Sequence, residues 1–566
     1  MSPLMLGCDS ASRPLYLPLQ TRRSTHMHLI GGSGTGKSKF LEFLIRQDVR
    51  EGRGLCVLDW HGSLYNDVLR YCALQDVGLP GDFRSVVLLN PSRPDFVTGF
   101  NPFAAADSDI SVQVSRRVDA TVRPWGVTNT DQTPTFARIC RLLYTFMIEN
   151  RQTLPNAATL LHFKNRQLRE RAAESIRDRF SRDEWDELQS ISKFQDWKTE
   201  VLSTKNRPMR FVGSTSIRRF MGLSEGNVDV LRVMDEGGIL LVNLGSSEYL
   251  DREAARVFAS LLINEFFELA MKRGARSLTG EKPRPFTLFL DEFQEYITDD
   301  VASMLDQVRK GGLHMVLAHQ HLGHFAENER LKEAVFTNAR IRAVFGGLST
   351  KGAGILAEEM FLPDLNSRQV KAQYFHTAHR YEEQTRTVRS WSRGTSRGES
   401  QSSTASFSGN YEDWDLGEKD EPSRYSESAS VGSSMSEQES FSESRVPFLL
   451  PIPFEELTSE TEWSREEKVS RVAEKLKSQP QRHCFIKVDT AEAQDILVPF
   501  IRDFHVSTDD LLEYERSLYR AQGALPAATV DRLLTEGERA FVVELSGGNM
   551  QGEPESGNSE DHGFFE

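Results

Sequence analysis

The sequence predicts an α/β fold with a parallel central sheet, interrupted by an all-helical block. Three observations predict it. Short apolar runs alternate with helical patterns on both sides of a long stretch without strands. A glycine-rich loop joins one of these runs to a helix, and a later run ends in paired carboxylates. Parallel strands joined through helices have both faces covered, so their runs read as continuously apolar.

The first run, His26 to Ile30, leads through Gly31-Gly32-Ser33-Gly34-Thr35-Gly36-Lys37-Ser38 into a helical pattern with Phe40, Leu41, Phe43 and Leu44 on its apolar side. Leu55 to Leu58 is the next strand, closed by Asp59, and Ser63 to Ala73 is a helix. Val86 to Leu89 is a strand. From about 104 to 235 helical patterns dominate, as in Phe136 to Glu149 and Leu168 to Phe180. Strands return with Gly238 to Leu244 and continue with Phe286 to Leu290, His314 to Ala318 and Ile341 to Phe345. A long helix, Arg252 to Lys272, separates the first two. Both sets of strands are predicted to share one sheet.

Between about Thr387 and Ser444 the chain is rich in Ser, Glu, Gly and Arg, with almost no aliphatic residues. Such a composition buries too little apolar surface to offset the entropy of ordering, so a flexible linker is predicted. A helix (Glu466 to Lys477), a strand (His483 to Val488) and two short helical patterns (Asp509 to Ala521, Thr529 to Glu536) follow. The predicted parts are therefore 1–103 and 236–385 as two pieces of one core, 104–235 as a helical insertion, and 386–445 as a disordered linker. Residues 446–545 form a small α/β and helical segment, and 546–566 a disordered acidic tail.

The loop Gly31 to Ser38 has the form G-x-x-x-x-G-K-[ST] in the strand–loop–helix setting that gives the motif its meaning. Its backbone N–H groups curl round a β-phosphate, and the helix N-terminus adds a favourable dipole. Lys37 reaches the β- and γ-phosphates, and the Ser38 hydroxyl ligates Mg²⁺. The predicted ligands are ATP and Mg²⁺.

Phe286-Thr287-Leu288-Phe289-Leu290-Asp291-Glu292 supplies the second half of such a site. Asp291 would stand beside Ser38 and hold Mg²⁺ through water, and Glu292 would polarise the attacking water. Gln320 follows the next strand, where a polar side chain can sense the γ-phosphate. Arg309 ends the helix before that strand. Spacing alone leaves it two roles, a cation at a helix C-terminus or an arginine finger acting on a neighbouring subunit's nucleotide.

A chain of 566 residues with a net charge of −14 cannot grip nucleic acid over its whole surface, so DNA contact must come from local basic loops or a pore. The five cysteines (Cys8, Cys56, Cys72, Cys140, Cys484) form no C-x-x-C pair and read as reduced small hydrophobes. No run of eighteen apolar residues and no signal pattern occurs, so a cytoplasmic chain without an integral membrane segment is expected.

Taken together, these motifs resemble the HerA/FtsK superfamily of ring-forming motor ATPases, and more closely its type IV secretion coupling-protein (TraG/TraD-like) branch. The resemblance rests on IGGSGTGKS, VLDWHGSL, VVLLNPSRPDFVTGFNPF, LFLDEFQEY, DQVRKGGLHMVLAHQ and NARIRAVFGGLS, in that order, and on TKNRPMRFVGSTSIRRFMG ahead of GGILLVNLG. It spans roughly residues 4–375 and resumes at about 446–500. It implies a RecA-like P-loop NTPase core, a homo-hexamer, and DNA threading a central pore. A relaxase, a secretion channel or an effector protein is an implied partner. Lys37, Ser38, Asp291 and Glu292 match the family's site residues, Gln320 its sensor glutamine and Arg309 its trans-acting finger. Asp59 and His61 match a motif beside the nucleotide, with His61 either catalytic or simply buried and hydrogen-bonded. Two departures stand out: Trp60 replaces the usual proline of that motif, and the transmembrane helices usual in conjugation are absent.

The densest basic run near the core is Lys205, Arg207, Arg210, Arg218 and Arg219, interleaved with Phe211 and Phe220. It fits sequence-tolerant phosphate contact with base stacking, and equally a solvated helical face. Two functions follow from the sequence. One is an ATPase that couples hydrolysis to DNA movement in conjugative transfer, a mobile element or a repair or defence complex. The other is a nucleotide-gated recruitment receptor for a protein or nucleoprotein.

Overall fold

The structure is a computed structural model. It describes residues 2–82, 84–103, 109–122, 134–201, 213–296, 299–325, 328–399, 432–503 and 505–546. They group into two compact units, one within 1–366 and 465–566, the other within 367–464.

In chain order the strands are β1 (Leu4–Cys8), β2 (Pro14–Leu17), β3 (Met27–Ile30), β4 (Gly54–Asp59), β5 (Val86–Leu89), β6 (Phe96–Val97), β7 (Ile239–Asn243), β8 (Phe286–Leu290), β9 (Leu313–His319) and β10 (Ile341–Phe345). They continue with β11 (Val370–Glu399), β12 (Gly432–Glu462), β13 (His483–Val488), β14 (Gln494–Leu497) and β15 (Leu525–Pro526). The large unit is built on an eleven-stranded sheet in the order β2-β1-β14-β13-β10-β3-β9-β8-β4-β7-β5. The run from β10 to β5 is parallel throughout. The other four strands extend it antiparallel.

The parallel strands are buried on both faces, and successive residues feed opposite cores. Leu55, Val57, Leu241 and Phe289 pack with Phe40, Leu41 and Leu64 from the helices Lys37–Arg50 and Ser63–Leu74. Cys56, Leu58, Leu288 and Leu290 pack on the other face with Phe258 and Phe266 of the helix Arg252–Ser277. That helix starts where Asp251 accepts the Ala254 amide at 2.8 Å, and its apolar residues run nearly all round because it lies between sheet and helical block.

The regular elements among the described residues of 109–236 are helices, among them Ile110–Val122, Pro134–Asn150, Arg166–Ser175 and Thr215–Met221. The helical pattern over 168–180 is broken in two, because Ile176 turns extended and Asp178 caps a new helix, Arg179–Gln189.

The C-terminal residues do not stand apart as a small segment. β13 pairs with β10, and β14 closes back towards β1. The helix Thr508–Ala521 packs on β5, and Ala527–Leu545 returns to the helical block, including Thr215–Met221. Long-range pairing that no local pattern announces recruits this end of the chain into the core.

The smaller unit differs from the predicted linker. β11 and β12 pair antiparallel from Val370↔Glu462 to Glu399↔Gly432, so residues 387–399 and 432–445 form strand. Cross-strand pairs supply what aliphatic residues do not: Arg389 Nε donates to Glu443 at 2.8 Å, and Ser390 and Ser392 bond Ser442 and Ser440. Pro447, Pro451 and Pro453 share one parity of β12, as the ladder requires of residues that donate no N–H. Residues 400–431 and 547–566 lie outside the described residues.

Candidate nucleotide site

The register of the parallel strands places the predicted residues. Leu58 pairs with Leu290, Leu290 with Leu317, and Ile30 with His319. The C-terminal ends of β4, β8, β9 and β3 therefore share one edge, which carries Asp59, Asp291–Glu292, Gln320 and Gly31. Ligands of open α/β sheets bind at this edge.

The loop leaves β3 pressed against the end of β10. A Cβ on Gly31 would lie 2.5 Å from Phe345 Cβ, so no larger residue fits. Gly36 sits at φ 112°, a conformation open to glycine, and from it the helix Lys37–Arg50 begins. The Lys37 ammonium donates to the Gly31 and Gly32 carbonyls at 2.6 and 3.1 Å. Burial lowers its pKa, against the opposing pull of Glu292 and Asp291.

Ser38 Oγ donates to Asp291 Oδ2 at 3.3 Å. Burial first, then the charges of Asp59 and Glu292, raise the Asp291 carboxyl to about 7. Glu292 adopts φ 51°, a left-handed backbone rare outside glycine, and its N–H donates to Asp291 Oδ1 at 3.1 Å. Its carboxylate accepts from Gln320 Nε2 at 2.8 Å on one oxygen and from Gln294 Nε2 at 2.6 Å on the other. The Tyr296 hydroxyl donates to the Asp291 carbonyl at 2.7 Å, and buried Trp60 meets the Tyr296 ring edge-on.

Among the described residues no group of three His, Cys, Asp or Glu side chains is disposed to hold a metal ion. A buried Asp291 crowded by two carboxylates, beside the Ser38 hydroxyl, is nonetheless a hard oxygen donor pair that a divalent cation would neutralise. Such a pair fits Mg²⁺, which takes few protein ligands and completes its shell with phosphate and water.

Other predicted residues make different contacts. Asp59 accepts the His61 and Tyr65 amides at 2.9 and 2.7 Å, capping the entry to the helix Ser63–Leu74, and His61 is exposed rather than buried. Arg309 precedes β9 and donates to the Ser24 carbonyl, ahead of β3, at 2.7 Å. It therefore lies at the N-terminal edge of the strands, about 20 Å of strand away from its own chain's site. Phe220 is fully buried against Phe258, which rules out base stacking by it. Arg219 makes a two-pronged ion pair with Asp531 at 2.8 and 2.7 Å, and Arg218 is half-buried on the same helix. Lys205, Arg207, Arg210 and Phe211 lie outside the described residues. All five cysteines are free thiols.

Sequence reasoning missed three contributors. Gln294 orients Glu292, and its polar side chain two residues on was the available signal. Behind Gln320, His28 and His319 meet Nε2 to Nε2 at 2.6 Å, both buried. Burial lowers both pKa values, that of His319 to about 3, so the pair is neutral. His319 Nδ1 faces the His321 carbonyl at 3.2 Å and donates to it, so His28 Nε2–H donates to His319 and leaves His28 Nδ1 bare. The third is Arg482, whose amide donates to the Thr35 carbonyl at 3.0 Å from some 450 residues away in the chain.

No protein-family model matches this sequence, and no curated protein matches it. Solved structures do share its fold. Bacterial conjugative coupling protein TrwBdeltaN70, in an unbound monoclinic form, is 14% identical with a TM-score of 0.50 over 88% of this chain and 89% of that one. Plasmid coupling protein TrwB in complex with the non-hydrolysable GTP analogue GDPNP gives 14% and 0.50 over 88% and 90%. The same protein in complex with ADP and Mg²⁺ gives 13% and 0.50 over 89% and 91%. The chain thus shares with these structures a RecA-like P-loop fold. Among the described residues no helix is long and apolar enough to cross a membrane.

Proposed function

We propose that the chain is an ATP-hydrolysing motor that couples turnover to DNA movement in conjugative-type transfer, mobile-element or other DNA-processing machinery. The observation that carries this reading is the Glu292 carboxylate held by Gln320 and Gln294 beside the Ser38–Asp291 pair. A carboxylate fixed on both oxygens, across β9 from the phosphate loop, is suited to polarise an attacking water. Lys37 would turn from its loop carbonyls to the β- and γ-phosphates. Ser38 and Asp291 would hold Mg²⁺, which would neutralise charge on the transferring phosphoryl group.

Arg309, half-buried at the opposite edge and out of reach of its own site, would serve a neighbour's nucleotide. That favours a ring, and a homo-hexamer is the assembly the motif resemblance suggests. DNA would be held without sequence preference. Steady-state ATP hydrolysis with and without single- and double-stranded DNA tests the reading, with Lys37→Ala as the blank. Stimulation by DNA, abolished in the variant, is the expected result. Turnover that persists in the folded variant overturns the site.

A second reading, a nucleotide-gated recruitment receptor, is favoured by two observations. Arg219 and Phe220 are committed to internal contacts. The β11–β12 ribbon exposes Trp391, Phe441 and Leu449, a surface suited to a protein partner. Basal turnover indifferent to DNA, with a protein captured by the full chain, would select it.

A further inference from the structure

Between the helix Arg465–Lys477 and the helix Thr508–Ala521 the chain crosses the flank of the phosphate loop that lies away from Asp291. Its course is fixed at three points. The Gly347 amide donates to the Lys477 carbonyl at 3.2 Å, the Arg482 amide donates to the Thr35 carbonyl at 3.0 Å, and Lys39 meets Asp503 at 3.6 Å. Arg482 therefore stands beside Gly36, and residues 498–503 run along the first turns of the helix Lys37–Arg50, where Arg46 Nη1 also donates to the Arg502 carbonyl at 3.1 Å.

Two side chains on this segment are unusually placed. Arg482 has φ 71°, a left-handed backbone that a non-glycine residue keeps where its surroundings hold it. Its Nε and Nη2 donate to the Val498 carbonyl at 3.1 and 2.8 Å, which sets the guanidinium 5.6 Å from the Phe500 ring centre. Phe500 is 71% exposed, an unusual position for a large apolar ring braced by a fixed cation. A cleft of about 210 Å³ lined by Lys39, Arg46, Asp67, Arg70, Tyr71 and Asp503 opens further along the same helix.

We infer that Phe500, braced by Arg482, is the platform on which the base of the bound nucleotide stacks. The inference rests on the phosphate-loop reading above and deepens it, since Arg482 stands against the loop at Thr35 and Gly36, within the span of a nucleotide whose phosphates lie there. An aromatic face recognises any base by stacking, and a purine offers the larger area, so purine nucleotides are the ligand class.

Isothermal titration of the full chain with Mg²⁺-ATP and with Mg²⁺-tripolyphosphate separates base from phosphate. Wild type is expected to bind ATP more tightly than tripolyphosphate. Phe500→Ala, a change at an exposed ring, is expected to weaken ATP about tenfold and leave tripolyphosphate as it was. Arg482→Ala should move the same ratio in the same direction. As an independent readout, indole fluorescence of F500W should be quenched by ATP and unaffected by tripolyphosphate. An unchanged ATP-to-tripolyphosphate ratio in F500A, with binding still lost in Lys37→Ala, overturns the platform and leaves the phosphate loop standing. Wild-type protein that binds neither ligand overturns the loop reading, and the platform with it.

Discussion

Gln320 Nε2 donates to Glu292 Oε1 over 2.8 Å, tying the residue after β9 to the residue after β8 across the same edge that carries the phosphate loop. Because Gln294 holds the other carboxylate oxygen, the orientation of Glu292 depends on two amides from different elements. Any event that draws Gln320 towards a nucleotide must also release or re-aim Glu292.

Replacing Glu292 with Gln should therefore leave nucleotide binding intact and lower turnover by about 10² to 10⁴-fold. Gln320→Ala should lower kcat with little change in the affinity for a non-hydrolysable ATP analogue. Both follow from parallel steady-state and equilibrium-binding measurements. Wild-type turnover in E292Q would place the base elsewhere.

Arg309 should behave as a residue of the neighbour's site. Arg309→Ala alone should lose turnover while retaining ATP binding, as should Lys37→Ala alone for turnover. Mixed in equal amounts, the two variants should regain part of the wild-type rate, since some interfaces then carry both an intact loop and an intact arginine. No recovery on mixing, under conditions where subunits exchange, would return Arg309 to a local structural role.

Acid should destabilise this chain through its buried histidines. Burial lowers the pKa of His26 and His319 to about 3 and of His314 to about 4, and His28 is lowered with them. An unfolded histidine titrates near 6.5, so below that pH the unfolded chain takes up protons that the folded one refuses. The stabilising effect is complete above about 6.5 and fades as pH falls towards 3–4, by roughly 1.4 kcal/mol per pH unit for each group. The urea midpoint should drop between pH 7.5 and 5, and an unchanged midpoint would show that these rings protonate in place.

Gly311 marks where the turn bearing Arg309 touches the helix Arg252–Ser277. A Cβ there would lie 2.0 Å from the Ala270 carbonyl oxygen, a backbone atom that cannot swing aside. Gly311→Ala should cost about 1–3 kcal/mol in thermal or urea unfolding and displace the Arg309 turn. Unchanged stability would mean that the helix shifts freely.

Much of this protein is written locally in its sequence. A buried parallel strand must be apolar on both faces, so β3, β4, β5, β7, β8, β9 and β10 are legible as short apolar runs. The phosphate loop is legible because crowding at Gly31 and the positive φ of Gly36 each demand glycine. Asp291 and Glu292 are legible as charges that end such a run. What the tertiary structure alone decided involves partners far apart in the chain. Hydrogen-bonding edges carry no side-chain signature, so nothing local shows β13 and β14 extending the sheet, or β11 finding β12. A basic or aromatic residue looks the same in sequence whether it faces solvent or a partner. Arg219 was committed by Asp531 and Phe220 by Phe258, while Arg309 was set at the far edge of the strands. Arg482 reached Thr35 because folding closed a loop of some 450 residues, a contact set by packing and not by period.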